Sequence, residues 1–111
     1  MGNRMKSVTL PQQSIGLIGF AIKSRQAVFG FEAVRRAAAQ QKLALVLVNH
    51  SISENTLKKL NSFLKDQKIH IFRVAPSTDW NKEWGLEDRK IMGIMKGNLG
   101  KSILDKINSG V

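Results

Sequence analysis

The chain has 111 residues, 42% of them hydrophobic, with no cysteine and with 18 Lys and Arg against 8 Asp and Glu, a net charge of +10. That length fits one domain able to bury a compact core without crosslinks. The missing cysteines exclude a disulfide framework, a thiolate metal site and a cysteine nucleophile. No apolar run approaches the roughly 18 to 20 residues that span a bilayer, and the first residues lack the pattern of a signal peptide, so a cytoplasmic protein without a membrane partner is expected.

In chain order, residues 1–13, "MGNRMKSVTLPQQ", carry no period and contain one of two prolines, which predicts a flexible basic arm ahead of a single domain over 14–111. From Ser14 the spacing of Ile15, Ile18, Gly19 and Ile22 predicts a helix ending near Ser24. Residues 26–29 form a short apolar run, a strand that Gly30 breaks. Residues 31–41 read as a helix with Val34, Ala37 and Ala38 inward. "LALVLV" at 43–48 is continuously apolar, as expected of a strand covered on both faces.

A loop, "NHSISENT", then supplies Ser53 as an N-cap for a helix over 54–67, on which Leu57, Leu60 and Leu64 share one face. Residues 69–74 read as a second β-rich run, and "APSTD" as a turn. "WNKEWG" reads as a short helix stopped by Gly85. A strand over 90–95 and a helix over 99–107 complete the chain. This alternation predicts an α/β domain in which a sheet of about four strands lies between helices.

The search for catalytic chemistry yields little. His50 and His70 stand alone, without ligand-spaced partners. Asp79, Glu83, Glu87 and Asp88 interleave with Lys82, Arg89 and Lys90, the pattern of a solvated, self-neutralised face. "KGNLGKS" at 96–102 ends like a phosphate-binding loop, yet only Asn98 and Leu99 separate Gly97 from Gly100 where that motif needs four residues. It is expected to be a strand-to-helix turn. Trp80 and Trp84, one helical turn apart, are expected to pack their helix on the core. No enzyme, cofactor, metal or small-molecule substrate is therefore expected.

Charge is the remaining lead. Residues 1–36 carry six basic side chains and one acidic, residues 37–75 six and two, and residues 76–111 six and five. A basic field concentrated on part of a small domain favours a polyanion, nucleic acid foremost. Exposed aromatics at strand-alternating positions are few, which argues against a stacking platform for single strands. In "AVFGFEAVRR", Gly30 allows close backbone approach and leaves the first helix amides free to meet phosphate. Lys23 and Arg25 precede it, and Glu32 and Arg36 stand one turn apart, as an ordinary i,i+4 pair also would.

The order "GLIGFAIKSRQAVFGFEAVRRAAAQQKLALVLVNHSISENTLKKL", then "KIHIFRV" and "DRKIMGIMKGNLGKSIL", resembles the kink-turn RNA-binding ribosomal protein family (the L-seven-Ae and L-thirty-e type), its bacterial ribosomal-protein-like branch most of all. The resemblance covers about residues 14–107 and rests on Gly30, Val34 and Arg36, on "SENTLKKL" and on "KGNLGKSIL". It implies a three-layer α-β-α sandwich with a mixed sheet. It also implies a monomer that binds ribosomal or other structured RNA without catalysis, through the helix start after Gly30 and a second loop near residues 85–89.

Carried over residue by residue, Gly30 matches, Val34 fits the apolar place and Arg36 takes the basic one. In the second loop, Leu86 matches an apolar contact and Arg89 supplies a cation. Glu32 and Ala33 stand where the family has Asn or Lys followed by Glu or Gln, and Phe31 replaces a small residue. The expected RNA-facing set is Lys23, Arg25, Gly30, Phe31, Glu32, Arg35, Arg36, Leu86 and Arg89, with phosphate contacts from the arginines. The alternative is a protein-interaction module on the same fold that has lost base-specific RNA recognition. One continuous surface of Arg25, Arg35, Arg36 and Arg89 would favour RNA, and a divided one the alternative.

Overall fold

The computed structural model describes residues 7–109. Its elements are β1 (Ser7–Val8), α1 (Gln12–Lys23), β2 (Ala27–Phe29), α2 (Phe31–Ala39), β3 (Leu43–Asn49), α3 (Glu54–Leu64), β4 (His70–Val74), α4 (Trp80–Trp84), β5 (Ile91–Met95) and α5 (Asn98–Ser109). One mixed sheet runs in the order β1-β4-β3-β5-β2. β1, β4 and β3 are parallel, and β5 runs antiparallel to both β3 and β2.

The sheet has five strands where the sequence predicts about four. The added one is β1, whose two residues pair with Arg73 and Val74 and are too few to show a period. Val8 and Leu10 are buried, and the Ala75 amide donates to the Val8 carbonyl at 2.8 Å. Of the expected basic arm, residues 1–6 lie outside the described residues, and residues 7–13 hold β1 and the start of α1. That helix starts at Gln12, two residues before the expected Ser14, behind the N-cap Pro11, whose carbonyl accepts from the Ser14 hydroxyl at 2.6 Å.

Two apolar clusters make three layers. On one face, Ile18 and Ala21 of α1, Trp80 of α4 and Ile103 and Ile107 of α5 meet Leu45, Leu47, Phe72, Met92 and Ile94. On the other, Val34, Ala37 and Ala38 of α2 and Leu57, Leu60 and Leu64 of α3 meet Val46, Val48 and Ile91. The unbroken apolar run of β3 is thus divided by the strand's two-residue period, as a strand covered on both faces requires. Leu43 joins the second cluster although Leu45 belongs to the first, because a bulge inserts Ala44 between the pairs Leu43–Met95 and Leu45–Ile94.

Helix ends follow local chemistry. The Ser53 hydroxyl accepts from the Thr56 amide at 3.1 Å, a cap that contributes about 1 kcal/mol. Asp79 caps α4 through the amides of Asn81 and Lys82, and Gly85 ends it in the left-handed region at φ 69°. The helix expected over 54–67 becomes α3 followed by one 3-10 turn, Lys65–Gln67. "KGNLGKS" is the turn from β5 into α5: Gly97 takes φ 145°, and a Cβ on the buried Gly100 would collide with the Met95 carbonyl oxygen.

The two ends of the sheet are distinct. At one, β2 finishes and β5 begins: the Gly30 amide donates to the Ile91 carbonyl at 3.0 Å and the Asn49 amide to that of Lys90 at 2.9 Å. At the other, the Met95 amide donates to the Gln26 carbonyl at 2.9 Å and the Lys96 amide to that of Lys42 at 2.8 Å.

Candidate nucleic-acid interface

Gly30 sits at φ 91°, ψ 162°, a region open in practice to glycine alone. Among the described residues no neighbouring atom lies within 4 Å of where a Cβ would stand, so conformation and not crowding demands glycine here. Its carbonyl accepts from the Val34 amide at 3.1 Å and opens α2, while no side chain caps the helix. Among the described residues the first-turn amides therefore meet no capping oxygen, which suits an incoming anion.

The two phenylalanines beside Gly30 part to opposite layers. Phe29 packs against the α1–α5 cluster, and Phe31 against the α2–α3 cluster. Phe31 is half-buried, so its ring serves the core more than the surface. The ring of Phe29 lies under the guanidinium of Arg89, 5.2 Å from its centroid. This contact joins the helix tip to residues 85–89, and Leu86 in that loop packs on the core with its amide bonded to the Trp80 carbonyl at 3.3 Å.

The arginines of α2 differ. Glu32 pairs with Arg35, not Arg36: Oε1 accepts from Arg35 Nε at 3.1 Å and lies 3.0 Å from Nη2. Arg35 also lies 5.6 Å from the Phe63 centroid on α3, so its charge is matched twice within the fold. Arg36 is exposed and, among the described residues, enters no ion pair. Ala33 is half-buried and offers no polar atom beyond its backbone.

Lys23 and Arg25 lie elsewhere. Arg25, at φ 63°, precedes Gln26, whose carbonyl binds the Met95 amide at the far end of β2 from Gly30. Lys23 lines a groove with Gly19, Ile22, Glu83 and Trp84 between α1 and α4. The expected continuous surface of Arg25, Arg35, Arg36 and Arg89 is therefore divided. The antiparallel edge strand carries the residues before and after it to opposite ends of the sheet. While Arg36, in the last turn of α2, lies along the helix towards the far end, Gly30 and Arg89 remain together at one end.

Two contributors there were missed by sequence reasoning. Lys90 is exposed beside Arg89, and its carbonyl holds the end of β3 through Asn49. Arg73 of β4 donates to the His50 carbonyl at 3.0 Å and lies 3.5 Å from Glu54. Lys90 was legible as a cation adjoining the second loop; Arg73 needed the parallel pairing of β3 and β4. The tryptophans pack as expected, Trp80 buried and Trp84 donating from Nε1 to the Ile15 carbonyl at 3.1 Å. Among the described residues no cluster of His, Cys, Asp and Glu fits a metal ion, and no helix is long and apolar enough to cross a membrane.

No family model and no curated protein matches the chain. Solved structures do. A protein of unknown function from Bacillus halodurans is similar at a TM-score of 0.74 and 21% identity, covering 88% of this chain and 99% of that one. The Giardia lamblia 15.5kD RNA binding protein is similar at a TM-score of 0.67 and 10% identity, covering 93% of this chain and 94% of that one. At these identities the likeness shows a shared fold, the α-β-α sandwich that the resemblance implied.

Proposed function

We propose that this is a non-catalytic RNA-binding protein, ribosome-associated or bound to a structured, kink-turn-like RNA. Its grip is the start of α2 from Gly30 to Arg36 together with the loop ending at Arg89. The observation that carries this reading is the uncapped first turn of α2, set beside the exposed guanidinium of Arg89, which is braced on Phe29. Amides and an arginine at one helix tip are groups that hold backbone phosphates, and the exposed Arg36 further along α2 can extend that grip. The net charge of +10 and the shared fold with an RNA-binding protein of Giardia support the same reading. Half-buried Ala33 and the paired Glu32 leave base-edge contacts few, so phosphate geometry and RNA shape supply most of the recognition.

The test is fluorescence anisotropy of the protein with a labelled kink-turn RNA and with a plain duplex, across a salt series. Binding that weakens steeply with salt, prefers the kinked RNA and is reduced in Arg36→Ala is expected. Binding that ignores salt, or no retention above background, overturns the proposal.

A second reading, a protein-interaction module on this fold, is favoured by one observation: Arg25 is divided from the helix tip, and Arg35 is neutralised by Glu32. Crosslinking in cells discriminates the two, since RNA recovered on residues 30–36 supports the first and polypeptide alone supports the second.

A further inference from the structure

The sheet end opposite Gly30 carries its own concentration of charge. An open cleft of about 510 Å³ lies there between the turn into β3, the turn into β4 and the first turn of α5. Lys68, Lys96 and Lys101 line it, with Gln41, Gln67 and one carboxylate, Asp66. Lys42 adjoins through the bond of its carbonyl to the Lys96 amide, and Arg25 through Gln26, whose Oε1 lies 3.9 Å from where a Cβ of Gly97 would stand. Among the described residues none of these five cations enters an ion pair.

The backbone makes the concentration more telling. Among the described residues, Arg25, Gln41 and Lys68 are the non-glycine positions at positive φ, 63°, 58° and 56°, and each ends a helical segment leading into a strand at this same end. Glycine is the least strained choice after a helix. Here all three positions hold long polar side chains instead, and two of those are cationic.

We propose that this cleft is a second phosphate site, at which Lys68, Lys96 and Lys101 hold the backbone of a second stretch of the RNA bound at Gly30. The inference rests on the RNA reading above. β5 runs from one end to the other, and its five residues span roughly 17 Å at about 3.3 Å each. That exceeds the spacing of neighbouring phosphates, so occupying both ends takes an RNA that reaches across the domain. It is also about two Debye lengths at physiological salt. Removing the lysines therefore leaves the field at Gly30 and Arg89 nearly unchanged, and the two sites can be tested separately.

The experiment compares wild type, Arg89→Ala and the triple variant Lys68→Gln/Lys96→Gln/Lys101→Gln, in anisotropy titrations with a structured RNA across a salt series. Removing one lysine–phosphate interaction lowers the slope of log affinity against log salt by roughly 0.7–0.9, so the triple variant is expected to show a slope smaller by about 2–3. All three lysines are exposed, and thermal melting checks the fold. Should the triple variant unfold, Lys96→Gln and Lys101→Gln alone are each expected to reduce the slope by the amount of a single phosphate.

Wild-type binding that depends on Arg89 but is unaltered by the lysine variants overturns the second site and leaves the proposed function standing. Wild type that binds no RNA overturns both. Amide shifts at Gly97 and Lys101 on adding inorganic phosphate, with the RNA slope unchanged, overturn it in favour of a free-anion site.

Discussion

The Arg89 guanidinium rests over the Phe29 ring at 5.2 Å, a contact between a loop that follows α4 and the last residue of an edge strand sixty positions earlier. It fixes a cation beside the first turn of α2, whose amides have no capping side chain. At an exposed site a stacked cation contributes about 0.5–1 kcal/mol. A double-mutant cycle of Arg89→Ala and Phe29→Leu, read by urea unfolding, is expected to return a coupling of that size. Phe29→Leu alone is expected to weaken RNA binding although the residue carries no charge, because Arg89 loses its support. Additive stabilities would show that the two side chains act separately.

Glu32 is the single acidic residue in the first turn of α2. Its carboxylate stabilises the helix dipole and pairs with Arg35, yet it repels any phosphate approaching the same amides. Glu32→Gln is therefore expected to lower stability by about 0.3–1 kcal/mol. Polyanion affinity should move the other way, rising about two- to fivefold if the relief is of similar size. Melting temperature and RNA affinity measured on one sample would show the opposed signs; a parallel fall in both would place Glu32 among the RNA contacts instead.

Much of the fold was legible because local chemistry announces it. Leu57, Leu60 and Leu64 repeat at helical spacing behind a serine cap, and the apolar run of β3 required cover on both faces. What escaped depends on partners distant in sequence. β1 exists only through its pairing with Arg73 and Val74, and the bulge at Ala44 only through β5. The site divided in the same way. Gly30 and the first turn of α2 lie on one local element and could be placed together from spacing, whereas Arg36 falls in that helix's last turn. Arg25 sits five residues from Gly30 in sequence, and only the run of an edge strand between them sends it to the other end of the sheet.

Two glycines should fail for different reasons. Gly30→Ala meets no atom but must hold φ 91°, at a cost of about 1–3 kcal/mol. Gly100→Ala has room in its dihedral angles and none in space, since its Cβ would strike the Met95 carbonyl, which is backbone and cannot turn aside. Chemical unfolding is expected to show Gly100→Ala as the more destabilised. RNA titration is expected to show Gly30→Ala as the weaker binder, because the strain falls where the α2 amides are aimed.

Arg35 and Arg36 are adjacent, equally charged and both exposed, so a composition-based account treats them alike. The structure separates them. Arg35 is held by Glu32 at 3.0 Å and lies over Phe63, whereas Arg36 has no ion-pair partner among the described residues. Arg36→Ala is expected to leave stability within about 0.5 kcal/mol of wild type and to reduce the salt slope of RNA binding by roughly 0.7–0.9, the effect of a single phosphate. Arg35→Ala is expected to do the reverse: it removes the ion pair and the stacking on Phe63, about 0.5–1 kcal/mol together. The slope should scarcely change, since Glu32 already neutralises that charge. Equal slopes in the two variants would mean that RNA draws Arg35 away from Glu32 on binding.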